Sequence, residues 1–482
     1  MSRSLDSCPD KIHVDLHYPE MIERQYTIQL LTPLYGGGIK AGMNDPLTLI
    51  RPASVRGNLR FWWRAMRGAS FTDAAGLKKR EDEVWGSTLN PSPVQVEVKV
   101  THNAGKRQSD SCFGFDEYGP EAYALFPARE TNENSIEISK EGGRFLFTIR
   151  WYTQERLQKL REMENQRRKK AGKKPLGEYK DIQKDVEAAF WAWVNFGGIG
   201  ARTRRGLGAI YCLNSSKDKC LHPPSLEGFG PWLKKMYEQF DTSALKSSDI
   251  RPWPLLPFEF FVGSKRDDSL SAWHEGLKLL KDFRQGKSVG RDPGEGMALG
   301  RSRWPEAESI REFVIRQRGF TDRAFCSLKA KDTRIPTTYF PRAEFGMPII
   351  FELRDEEIPI KGCEREKKKN IKPTLVPGQD TERMASPLIL RPIRFQDGSS
   401  AALAFFLKVP PLDKAYLKPG GCDLEQGEKI EGSQIRSAQL ATYFDSPMGP
   451  ANSGGDCRSS SGSALEAFKS YIMEKGFRRI KI

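Results

Sequence analysis

Residues 53–68 read ASVRGNLRFWWRAMRG, and the rest of the chain is best read outward from them. Val55, Leu59, Trp62 and Met66 recur at spacings of 4, 3 and 4, the period of a helix with one apolar face. Arg56, Arg60, Arg64 and Arg67 recur at 4, 4 and 3. At about 100° per residue they fall within an arc of about 80° beside the apolar stripe. Ser54 is the expected N-cap and Gly68 the expected stop. Upstream, YTIQLLTPL (26–34) reads as a strand entering a glycine-rich loop at Gly36-Gly37-Gly38. Downstream, VQVEVKV (94–100) alternates strictly and FLFTIRW (145–151) is a second strand signal. A helix over 180–195 ends in AFWAWV, a glycine-rich loop spans Gly197–Gly208, and a short strand, AIYC, follows. The order is strand, helix, strand, strand, helix, strand, as in a ferredoxin-like (RRM-like) βαββαβ unit of the α+β class.

The pattern fades around 214–250, where a domain boundary is expected, dividing the chain into 1–230 and 231–482. The second part offers PFEFFVG (257–263), an amphipathic stretch over 271–283 and a helix from Glu306 to Arg318. It continues with strands in MPIIFEL (347–353), PLILRPI (387–393) and AALAFFLKV (401–409), then a last helix over 464–475. A second α+β unit is expected there, giving two ferredoxin-like units in tandem.

The 482 residues hold 77 Lys and Arg against 62 Asp and Glu, a net charge of +15. An aromatic content of 10% excludes a disordered chain. No run of 18 apolar residues exists, so a membrane-spanning helix is not expected. The first 20 residues lack a signal-peptide core, and the eight cysteines are scattered without a CxxC pair. A cytoplasmic protein with free thiols is the expectation. Three windows free of acidic residues, 46–72, 188–217 and 383–396, carry twelve basic residues, eleven of them arginine. Guanidinium forks suit phosphate, so the surplus reads as positioned patches for a polyanion. Within 46–72 no acid relieves the repulsion along the arginine row, which an outside polyanion would relieve. The runs RRKKAGKK (167–174) and EREKKKN (364–370) read as solvated insertions adding diffuse attraction.

The loop FGGIGARTRRGLG (196–208) combines glycines with Arg202, Arg204 and Arg205. It lacks the Gly-Lys-Ser/Thr of a P-loop and follows a helix, unlike a Rossmann fingerprint, so no nucleotide cofactor is expected. The five histidines, 13, 17, 102, 222 and 274, lie outside the arginine helix and the loop. His13 with His17, and Cys212 with Cys220 and His222, are incomplete as metal sites, and no metal or catalytic residue is assigned.

PLYGGGIKAG (33–42), RPASVRGNLRFWWRAMRG (51–68) and GGIGARTRRGLGAI (197–210) together resemble the RAMP superfamily of CRISPR RNA-binding proteins. The RGNLRFWWR core resembles the first-subunit family of the type III-B Cmr effector complexes. GRSRWPEAESIR (300–311), FPRAEFGMPIIF (340–351) and RMASPLILRPI (383–393) agree with it. The resemblance implies a cytosolic, non-catalytic subunit placed near the 3′ end of a CRISPR guide RNA, helping to engage target RNA beside other Cmr proteins. It implies no membrane partner and no cofactor. Carried over by position, the RNA-binding residues are Lys40, Arg51, Arg56, Arg60, Arg64, Arg67, Arg202, Arg204, Arg205, Arg301, Arg303, Trp304, Arg342 and Arg391. Trp304 either stacks on a base or anchors the core, and Phe340 and Phe345 read as core. The alternative function in the same superfamily is a metal-independent endoribonuclease that processes guide RNA.

Overall fold

The computed structural model describes residues 20–36, 38, 44–45, 48–88, 90–107, 119–126, 138–214, 221–246, 249–293, 299–310, 338–351, 372–418, 427–442, 446–449 and 458–482. The first half is built from strand β1 (Met21–Leu30), helices α1 (Pro52–Arg67) and α2 (Ala74–Trp85), strand β2 (Val94–His102) and a short helix α3 (Pro120–Leu125). Strand β3 (Arg144–Tyr152), helices α4 (Gln154–Lys170) and α5 (Gln183–Phe196) and strand β4 (Ile210–Cys212) complete it. The sheet order is β2-β3-β1-β4 and every pair is antiparallel. Register places Ile28 opposite Phe145 and Tyr26 opposite Phe147. Alternation then sends these residues, with Val94 to Val100 in steps of two, toward α1 and α5.

The expected apolar stripe of α1 is buried throughout: Val55, Leu59, Trp62 and Met66 are each at most 3% exposed. The helix starts one residue earlier than expected. Pro52 occupies the first turn, where its missing N–H is no loss, and Arg51, not Ser54, is the N-cap residue. Gly68 ends the helix as expected.

The second half repeats the connectivity. It contains β5 (Glu259–Val262), α7 (Ser269–Gln285), β6 (Leu388–Arg394), β7 (Ser400–Phe406), α8 (Ala464–Glu474) and β8 (Arg478–Lys481). Its sheet order, β6-β7-β5-β8, is again second-third-first-fourth and antiparallel throughout. β8, with the sequence RRIK, was not expected. Its side chains are mostly exposed and charged, so no alternation marks it, and pairing along β5 holds it. The expected strand at 347–353 belongs elsewhere. Ile349–Ile350 joins a small third sheet with Thr374–Val376, Lys414–Lys418 and Glu428–Glu431. Of the expected helix from Glu306, residues 306–310 are helical and the rest lies outside the described residues, as does the run at 364–370.

Both faces of the second sheet are buried, which is why β6 and β7 read as continuous apolar runs. Phe261, Leu388, Leu390, Ala402 and Phe406 pack with α7 and α8. Phe260, Ile389, Ile393, Leu403 and Phe405 turn the other way and join the core of the first half. Phe196 at the end of α5 meets Phe260 at 5.4 Å and Phe405 at 5.5 Å between ring centroids. Within the stretch where the pattern faded, residues 221–246 form a packed connector. Helix α6 (Phe229–Gln239) buries Trp232, Leu233 and Met236, and Trp232 lies 5.6 Å from Trp191.

Candidate nucleic-acid interface

The arginine row of α1 does not stand unrelieved. Glu81, on α2 and 4% exposed, accepts from Arg60 Nε at 2.7 Å and Arg64 Nη1 at 2.6 Å. Arg67 meets Asp185 of α5 at 3.1 Å, and Arg80 of α2 shares that carboxylate. Arg56 donates to the carbonyls of Val94, at 3.0 Å, and Trp85. The absence of acids within 46–72 is therefore compensated by acids distant in sequence, and this row is largely an internal ion-pair lattice. Arg51 is half-buried, and Lys40 lies outside the described residues.

The glycine-rich loop behaves differently. Its glycines are set by packing as much as by openness. Gly206 has φ +79, and a Cβ there would strike the Trp273 ring and the Leu390 carbonyl. Gly208 has φ +62, and a Cβ would meet the Ile199 carbonyl oxygen. Trp273 Nε1 donates to the Arg205 carbonyl at 2.7 Å, which docks the loop on α7 of the second half. Arg202 itself adopts φ 58, unusual for a residue with a Cβ. Its Nη1 reaches the Ala124 carbonyl at 3.3 Å, and Arg205 Nη1 reaches Tyr123 and Ala124 at 3.1 and 3.3 Å. These are the terminal carbonyls of α3. Arg204 donates to the Ser386 carbonyl and lies 5.8 Å over Phe61. Among the described residues no carboxylate pairs with any of the three. All are half-buried, and desolvation lowers each pKa, that of Arg205 to about 10.

Two of the expected contacts lie in the core. Arg391 is 2% exposed, and its guanidinium donates to Gly197 O at 2.5 Å, Ile210 O at 3.0 Å and Val194 O at 3.3 Å. It fastens β6 to the end of α5 and to β4, and burial pushes its pKa down to about 9. Trp304 is fully buried, with Nε1 donating to Arg284 O at 2.9 Å and its ring edge-on to Phe283, so it anchors the core rather than a base. Arg342 pairs with buried Glu306 at 3.4 Å and lies over Trp304 at 5.7 Å. Arg303 donates to Ser288 O and approaches Asp292. Arg301 sits on the strand Leu299–Ser302 and its side chain is outside the described residues. Phe340 and Phe345 are buried, as expected.

The outward face of the first sheet offers no row of stacking rings. Gln95, Glu97 and Lys99 are exposed there, and Arg150 binds Glu23 and Glu97. Of its aromatics, Tyr211 already stacks on His222 at 4.0 Å, and Tyr152, at the end of β3, lies under the Arg156 guanidinium at 5.8 Å. Base stacking of the RRM kind has no platform on this face. His222 is buried and neutral, its pKa pushed down to about 3 by desolvation. Its Nε2 accepts from Cys212 N at 3.1 Å and its Nδ1 faces Asn195 Oδ1 at 2.9 Å, so it is not a free metal ligand. Cys212 is a buried thiol whose Sγ donates to Asn214 Oδ1 at 3.4 Å, and Cys220, His13 and His17 lie outside the described residues. Sequence reasoning missed His274, whose Nδ1 lies 2.5 Å from Glu121 Oε1 on α3. The pair lines a cleft of about 610 Å³ with Arg266, Lys278 and Lys475, and nothing in the local sequence connects Glu121 to α7.

Residues 27–211, the strands, helices and glycine-rich loop just described, match the family model of the RAMP superfamily. The particular relatives are two CRISPR proteins of Pyrococcus furiosus. The chain is 27% identical over 209 residues to the CRISPR system Cmr subunit Cmr1-2, covering 39% of this chain and 95% of the relative. It is 26% identical over 172 residues to Cmr1-1, covering 35% of this chain and 42% of the relative. Among solved structures, it aligns with apo Cmr1 from Pyrococcus furiosus at 14% identity and a TM-score of 0.46, over 95% of this chain and 99% of the other.

Proposed function

We propose that the chain is a non-catalytic RNA-binding subunit of a type III-B Cmr effector ribonucleoprotein. It would act in the cytoplasm beside other Cmr subunits, near the 3′ end of the guide RNA, and help to capture target RNA. In this reading 1–230 and 231–482 are two ferredoxin-like units in tandem, and the loop between α5 and β4 is the RNA contact at their junction. The names of its sequence relatives support membership in such a complex. The observation that carries the contact is the contrast between two arginine sets. Arg60, Arg64 and Arg67 of α1 have acidic partners inside the protein, whereas Arg202, Arg204 and Arg205 are desolvated without one among the described residues. A phosphate would complete them with charge-assisted, bidentate bonds.

The test is single-stranded RNA binding by the double variant Arg202→Ala with Arg204→Ala. Affinity is expected to fall about tenfold for every sequence tried. The slope of log affinity against log salt should become shallower by about 0.7 per lost phosphate contact. Unchanged affinity in a variant that melts like the parent would remove the loop from the interface.

One observation favours a second reading. The His274 imidazole is oriented by the Glu121 carboxylate, as a general base would be, in a cleft that also holds Arg266, Lys278 and Lys475 beside Glu275. Incubating the protein with labelled repeat RNA in EDTA separates the two. No discrete product is expected. A single cut that His274→Ala abolishes would establish the endoribonuclease instead.

A further inference from the structure

The run RRKKAGKK is solvated, as expected, and its backbone is held in place by side-chain contacts. Helix α4 is capped at its start by Thr153, whose hydroxyl accepts from Arg156 N. Along its 17 residues it buries only Leu157, so most of it lies on the surface. Its end is folded back and pinned. Asn165 Nδ2 donates to Leu176 O at 2.9 Å while Leu176 N donates to Asn165 Oδ1 at 2.7 Å. Arg168 Nε donates to Lys174 O at 2.8 Å, and Lys173 N to Arg168 O at the same distance. The returning chain is held against α2, with Tyr179 OH donating to Glu83 O at 3.1 Å and Arg161 lying 4.4 Å over the Tyr179 ring.

This scaffold leaves Arg167, Lys169, Lys170, Lys173 and Lys174 exposed. None of the five forms an ion pair among the described residues, and 165–177 contains no Asp or Glu. Cations in a last helical turn are favoured by the helix dipole, but by only about 0.3–1 kcal/mol each at low salt. That effect reaches no further than the turn and does not account for Lys173 and Lys174 beyond it.

We infer that this pinned basic spur is a second nucleic-acid contact, binding the phosphodiester backbone of RNA without reading sequence. Protein interfaces centre on aromatic or apolar anchors and are depleted of lysine. The spur exposes five charges with no aromatic among them, the composition that a polyelectrolyte backbone requires. That the polyanion is RNA rests on the function proposed above; the position of the surface does not.

The test uses the full chain and a fluorescent 20-nucleotide oligouridine RNA, titrated at several salt concentrations. The variant replaces Arg167, Lys169, Lys170, Lys173 and Lys174 by Gln, which keeps helix propensity and leaves buried groups untouched. Its log–log salt slope is expected to be shallower by about 3 to 4 than the parent's, from about 0.7 per phosphate contact. A parent slope retained by the variant overturns the spur, and if the loop variant alone weakens binding, the loop reading stands without it. A parent chain that binds no RNA overturns both. RNA binding unchanged while a poly-glutamate peptide binds the parent and not the variant makes the spur a protein-docking surface, which also overturns the inference.

Discussion

Arg391→Ala is expected to destabilise the protein by about 3–5 kcal/mol, seen as a large drop in the urea midpoint. The residue lies in an RNA-like arginine motif by sequence, yet its guanidinium is buried between the halves. Removing it strands the carbonyls of Val194, Gly197 and Ile210 in a site that water does not reach, and opens a cavity beside β6. Arg391→Lys should fall between parent and alanine, because one ammonium cannot reproduce a planar fork aimed at three carbonyls. An exposed arginine that touched only RNA would shift stability by no more than about 0.5 kcal/mol. A midpoint that does not move in Arg391→Ala would return this side chain to the interface.

Glu81→Ala should have two effects of opposite sign. Stability falls by about 2–3 kcal/mol, because Arg60 and Arg64 lose a common carboxylate and are left four residues apart with like charge. The loss is smaller than for Arg391 because both guanidiniums are about one-third exposed, 33% and 32%, and water takes over part of the solvation. The freed arginines then face solvent, so RNA affinity rises by about three- to tenfold at low salt. If Arg60 and Arg64 were already RNA contacts in the parent, removing Glu81 would lower stability without that gain. Melting and anisotropy on the same preparation read both effects.

Local periodicity made the fold largely legible. The 3.6-residue period of α1, the strict alternation of β2 and the apolar runs of β6 and β7 each matched an observed element. β8 escaped because it is held mainly by pairing with β5 and only Ile480 packs on the core, and Ile349–Ile350 was misplaced because a short apolar run carries no information about its sheet. The site was less legible, for one physical reason. Sequence windows show which charges are absent nearby, not which arrive through folding. Glu81 reaches Arg60 from 21 residues away, and Arg391 reaches Gly197 from 194 residues away. The loop arginines were legible because glycines and arginines share one short segment, but the reason for Gly206, the Trp273 ring of the other half, was not.

The central claim is that RNA meets the loop between α5 and β4 and not the arginine row of α1. Ultraviolet crosslinking of the full chain to single-stranded RNA, with nucleotide-bearing peptides identified by mass spectrometry, tests it most directly. Adducts are expected within residues 197–208 and none within 53–67. Adducts within 53–67 with none in 197–208 would contradict the account.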